Sequence, residues 1–84
     1  MSLDDPRYAA FAAIASVMAI GSGKDGRDDS WRQKPGFYHL TKGVRHAMTH
    51  LMQKMGVTEA DGEDHLKLAI CRLSMALAQE SKKS

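Results

Sequence analysis

The stretch FYHLTKGVRHAMTHLMQKM, residues 37–55, decides how the chain folds. Phe37, Leu40, Val44, Met48, Leu51 and Met55 recur at spacings of three and four, the period of one apolar stripe on an α-helix. Gly56 follows and suits the left-handed residue that stops such a helix. On the far side His39, His46 and His50 fall within about 40° of one another, with Gly43 in the same line. That second stripe is either a functional face or a solvated one.

Toward the amino terminus, Asp4 or Asp5 can cap a helix, Pro6 suits its first position, and Gly21 suits the residue after its last turn. The expected first helix runs from about residue 6 to about residue 20. Tyr8, Phe11, Ile14, Val17 and Met18, with alanines between them, leave it almost no polar face. It is expected to pack on its own domain with one side and on a second subunit with another; cover by its own chain alone is the alternative. From Gly21 to Gly36 the glycines, Pro35 and alternating charges read as a long loop, of the kind that binds something or is disordered. Trp31 amid those charges is expected to dock.

Toward the carboxyl terminus, a short linker from Val57 to Gly62 leads into a third helix from about Glu63 to Gln79. Asp61 is its expected cap, Glu63 and Asp64 oppose its dipole, and Leu66, Ile70, Leu73 and Leu77 form its expected core seam. No strand signal interrupts this order. The reading is an all-α, three-helix unit with a long Gly-rich loop between its first and second helices, paired into a larger bundle. One domain spans residues 1–84, with an ordered core over about 6–79 and no functional weight given to Met1, Ser2 and Leu3.

An 84-residue chain builds only a thin core of its own, so help from a partner subunit is expected. The formal charge of +2 is too small to mark a nucleic-acid binder, which needs a one-sided basic surface. A single cysteine, Cys71, excludes an internal disulfide framework and a cysteine-only zinc site, and it fits the cytoplasm. The apolar run from Tyr8 to Ile20 is shorter than the roughly 20 residues a membrane span needs, and acidic Asp4 and Asp5 precede it where a signal peptide carries basic charge. Neither membrane nor export is expected.

Gly21, Gly23 and Gly26 match G-x-G-x-x-G, but that fingerprint works between a strand and a helix, and here it follows a helix. A Walker A reading of Gly21 and Gly26 fails because Arg27 and Asp28 stand where Lys and Ser or Thr belong. There remains a loop whose amides, with Lys24 and Arg27, can hold a phosphate, or whose glycines simply turn the chain. His46 and His50 have metal-ligand spacing, yet Ala47, Met48 and Thr49 leave no adjacent glutamate for an H-E-x-x-H protease. Cys71 lies beside core positions and reads as buried rather than nucleophilic. Asp61, Glu63 and Asp64 beside His65 are either helix caps or hard oxygen ligands for a magnesium ion that carries nucleotide phosphates. In the second case Arg45 would neutralise phosphoryl charge, Glu63 or a histidine would activate water, and Trp31 or Tyr38 would stack on a base.

The ordered set resembles a known family over roughly Pro6 to Leu77, the phage and prophage dATP/dGTP diphosphohydrolase amino-terminal domain. The resemblance rests on an apolar helix leading to Gly21 and Lys24, Asp25, Gly26; then Trp31 and Tyr38; then Arg45 and His46; then an acidic loop into His65, Leu66 and Ala69. Asp25 and Ser30 depart from the family's usual Lys-Tyr-Gly and Asn-Trp. The resemblance implies hydrolysis of a purine deoxynucleoside triphosphate with Mg2+ in phage nucleotide metabolism. The residues then take these expected roles: Lys24, Trp31, Tyr38 and Arg45 bind substrate, His46, Glu63 and His65 orient or activate water, and Asp61, Glu63 and Asp64 hold metal. The expected partners are a purine nucleotide and a second copy of the chain through the first helix. The alternative is a non-enzymatic phage or prophage interaction module that dimerises.

Overall fold

In the computed structural model, which describes residues 4–25 and 30–82 and the side chains of 4–19 and 31–82, the elements are α1 (Pro6–Asp25), a 3-10 turn (Ser30–Gln33), α2 (Gly36–Lys54) and α3 (His65–Ser81). No strand occurs among the described residues. Asp5 caps α1, its carboxylate accepting from the Arg7 backbone N–H at 2.9 Å. The helix then continues through Gly21 to Asp25, one turn beyond the expected stop. A glycine costs a helix interior only about 1 kcal/mol and ends it only where the next turn adopts a left-handed shape. The connection to α2 is shorter by that turn.

Gly56 does end α2. At φ +79° it forms the double closure of a helix terminus: its N–H donates to Gln53 O at 3.2 Å and the Val57 N–H to Met52 O at 2.9 Å. The start of α3 differs from expectation. Gly62, at φ +84°, makes a turn in which the Asp61 carboxylate accepts from the Glu63 N–H at 3.1 Å. Asp64, not Asp61, is then the cap, accepting from the Lys67 N–H at 3.2 Å, and His65 is the first helical residue. This shift leaves the second oxygen of Asp61 free to meet His65.

The main departure concerns which faces meet. The α2–α3 seam is built from Gly36, His39, Gly43 and His46 on one side and His65, Ala69, Arg72, Ala76 and Gln79 on the other, each set at spacings of three and four. The helices run antiparallel, because the partners fall in number along α3 as they rise along α2: Gly36 faces Ala76 and Glu80, His39 faces Arg72, and His46 faces His65. A Cβ added at Gly43 would stand 2.8 Å from Leu73 Cδ2, so glycine sets how closely the two backbones approach. The stripe Phe37, Leu40, Val44, Met48, Leu51 and Met55, and with it Leu66, Leu73 and Leu77, is turned outward at 40% to 71% exposure. The expected core seam of the third helix is therefore surface, with Ile70 half-buried.

Hydrogen bonding explains the arrangement. Polar seam residues are tolerated when they satisfy one another, whereas apolar ones need only a cover of some kind. Each apolar stripe lies one residue after its seam, and in antiparallel helices that step rotates both stripes to the same side of the pair. α1 packs against α3, with Ala13 and Cys71 almost completely buried. The connection before α2 is clamped by Gln79, whose Nε2 donates to Arg32 O at 2.9 Å and Lys34 O at 2.6 Å.

Candidate functional site

The turn at Gly62 and the first residue of α3 bring three side chains into a chain of contacts. His65 Nε2 lies 2.8 Å from Asp61 Oδ2, and His65 Nδ1 lies 2.8 Å from His46 Nδ1 on the facing helix. A carboxylate only accepts, so His65 Nε2 carries the donated proton. With both rings neutral, His65 Nδ1 accepts from the His46 Nδ1–H, and His46 Nε2 is left with its lone pair and no hydrogen-bond partner among the described residues. The two rings stack with centroids 5.1 Å apart. The chain Asp61–His65–His46 is thus directional, from an exposed carboxylate through a buried ring to a half-buried ring with a free basic nitrogen.

Electrostatics bears on the charge of His46 rather than on its tautomer. Burial pulls His46 below the ordinary imidazole value of 6.5; a proton on the adjoining His65 ring would add to this, as do the charges of Arg72 and Lys42, while Glu63 opposes it. His46 is therefore neutral at pH 7. The hydrogen bond from His65, with that from the Glu63 backbone, holds the Asp61 carboxyl below its usual range. Asp61, Glu63 and His65 each offer one ligand atom, all within 4.8 Å of one another, and this cluster can hold a metal ion. Glu63 also borders an open cleft of ≈ 470 Å³ lined with His50, Gln53, Lys54 and Asp64.

A second polar group continues the seam. His39 is fully buried; its Nε2–H donates to Trp31 O at 2.8 Å and its Nδ1 accepts from Arg72 Nη1 at 3.0 Å, which fixes one tautomer. Beside it Tyr38 is ringed by cations, with Lys34 and Lys42 each 5.1 Å and Arg72 5.9 Å from its ring centroid. The cations bring net positive charge to this end of the seam.

The structure gathers His46, His65, Asp61 and Glu63 from the two arms and the turn at one end of the helical hairpin. Asp64 is turned to capping and stands 3.9 Å from Lys67 Nζ. Arg45 points away, lining an apolar groove on α2 with Leu40, Val44 and Met48. Trp31 docks half-buried, its ring 4.7 Å from the Arg32 guanidinium, and Tyr38 lies within the cationic group. The Lys24 side chain lies outside the described residues, as does Arg27. Arg72 and Lys42 were not singled out from sequence. Their signal was the matched spacing of His39, Gly43 and His46 with His65, Ala69, Arg72 and Ala76 once α2 and α3 are set antiparallel.

Among the described residues no helix is long and apolar enough to cross a membrane. Compared with family models, curated proteins and solved structures, the chain gives no match.

Proposed function

We propose that the α2–α3 seam is a phosphohydrolase site for a purine deoxynucleoside triphosphate. The observation that carries this reading is the Asp61–His65–His46 chain, which leaves one neutral imidazole nitrogen beside two carboxylates and a cationic group. The resemblance to the phage diphosphohydrolase family supports the choice of substrate. In this reading Asp61 orients His65, His65 orients His46, and His46 Nε2 takes the proton of the attacking water as a phosphate-containing group leaves. Lys42 and Arg72, close enough to depress His46, meet the phosphate charge, and Trp31 or Tyr38 stacks on the base.

The donor set fits Mg2+ through its oxygens. Magnesium favours carboxylates and water, so Asp61 and Glu63 would hold it while both His65 nitrogens stay in their hydrogen bonds. Bound there, the ion would supply charge stabilisation to a phosphoryl oxygen. Zinc favours imidazole and would compete for His65. The lone free Cys71 fits a cytoplasmic protein.

The test incubates the purified chain with dATP, dGTP and pyrimidine deoxynucleotides in Mg2+ and separates the products by anion exchange. The reading expects turnover of the purines, its loss in His46→Ala with helicity retained, and inhibition by added zinc. Absence of product, together with no nucleotide-dependent rise in melting temperature at millimolar concentration, refutes it. A second reading, the non-enzymatic interaction module, is favoured by the exposed apolar face of α2 and α3.

A further inference from the structure

We infer that the apolar face of the α2–α3 hairpin is the interface between two copies of this chain. Nine side chains form it: Phe37, Leu40, Val44, Met48, Leu51 and Met55 from α2, and Leu66, Leu73 and Leu77 from α3. Their exposures run from 40% to 71%. Taking about 150 Å² for each side chain, the low end of the aromatic range since only Phe37 is aromatic, that exposure leaves a face of roughly 750 Å². The largest apolar patch of an ordinary monomer is about 300–600 Å², whereas a stable two-chain interface takes about 800 Å² from each partner.

Three further observations select a second copy as the occupant. The first is how little the chain buries by itself: among the described residues the buried apolar side chains are Ala13, Ala69, Cys71 and Ala76, all small. A domain of this size with such a core gains stability from a cover, and a second copy brings a matching apolar face. The second is self-complementarity. A two-fold interface sets the same patch against itself, and of the residues lining the groove in this face only Arg45 carries a charge. The third is shape: the α2 stripe keeps spacings of three and four, and the α3 stripe does so with half-buried Ile70 between Leu66 and Leu73, the pattern by which two helical hairpins interlock as a four-helix bundle. The groove of ≈ 500 Å³ beside Leu40, Val44 and Met48 gives the partner's side chains a place to enter.

This places the pairing on α2 and α3 rather than on the first helix, where the sequence alone locates it. On α1 Phe11 is exposed, but Tyr8, Ile14, Val17 and Met18 are already half-buried. The inference holds for either reading of function.

Sedimentation equilibrium on the full chain tests it, with melting temperature followed over a roughly hundredfold concentration range. The expected mass is twice the 9.2 kDa of the chain, and the melting temperature rises with concentration. Val44→Asp is expected to abolish the dimer, as folded monomer or as unfolded chain, and Phe11→Asp to retain it. Val44 is 46% exposed in the single chain, so an unfolded Val44→Asp is resolved by Met55→Asp, at 68% exposure, which is expected to weaken the dimer with helicity retained. Four results overturn the inference: a folded wild-type monomer with a concentration-independent melting temperature, a mass above two copies, a dimer that survives Val44→Asp, or one lost only in Phe11→Asp. A monomer that sediments with phosphatidylcholine vesicles would assign the face to lipid instead.

Discussion

Gly43→Ala distinguishes the polar seam from the apolar one by the sign of a single number. If the apolar stripe of α2 faced α3, Gly43 would lie toward solvent, and alanine would stabilise the helix by about 1 kcal/mol through backbone propensity. In the structure the added methyl meets Leu73 Cδ2 at 2.8 Å, Leu73 Cγ at 2.9 Å and Arg72 Cβ at 3.3 Å. Leu73 is partly exposed and its Cδ2 and Cγ swing away only by leaving their rotamer, while Arg72 Cβ retreats only if α3 moves. Overpacking of this kind costs about 1–3 kcal/mol. Taking the middle of that range and subtracting the propensity gain leaves a net loss of about 1 kcal/mol, which for a domain this small lowers the melting temperature by about 4–8 °C. The assay is thermal unfolding followed by helical circular dichroism, wild type and variant at one protein concentration, with Ala47→Gly on the exposed side of α2 as the propensity control. A melting temperature raised by a similar amount would refute the placement of Gly43 in the seam, and with it the facing of His46 and His65.

Stability should fall on acidification in two stages. The lowered pKa of His46 means that the unfolded ring binds protons first, so its contribution is complete above pH 6.5 and is lost as pH falls through the folded value; melting curves from pH 8 to pH 4 show this stage, and His46→Gln flattens it. The Asp61 carboxyl contributes above its ordinary value of 3.8 and loses that contribution as pH falls through its lower folded value, so a second decline follows in stronger acid. His39→Phe leaves Arg72 and the Trp31 carbonyl without their ring partner, and the two losses together should cost about 2–4 kcal/mol, read by denaturant unfolding with a changed Trp31 fluorescence as the local signature. Asp61→Asn keeps an acceptor for the Glu63 N–H but removes the charge, so magnesium-supported turnover should drop about 10–100-fold, and the melting temperature at pH 7 should fall and lose the decline in stronger acid.

The candidate site was half legible. His46 and His65 stand nineteen positions apart, and each drew notice through its own local pattern, the Arg45-His46 pair and the acidic run before Leu66. Their meeting depends on the antiparallel register of α2 and α3, which no local pattern states. Asp61 was read as a cap or a ligand; the positive φ of Gly62 moved capping to Asp64 and turned Asp61 toward His65. Arg45 was expected to meet phosphoryl charge and, through the resemblance, to bind substrate; adjacent residues on a helix point about 100° apart, and with His46 in the seam Arg45 lines the outer groove.

Periodicity and turn chemistry in the sequence determined that the chain is helical, that Gly56 ends the second helix, and that residues 37–55 carry one apolar and one histidine stripe. These are properties of a few neighbouring residues and survive any packing. Which stripe faces the partner helix was decided only by tertiary structure. An apolar stripe marks where water should be excluded without saying by what, and a polar stripe can be buried whenever another set of donors and acceptors answers it. Here Arg72, the Trp31 carbonyl, His65 and Asp61 answer the histidines, so the polar faces close on each other and the apolar faces point outward together.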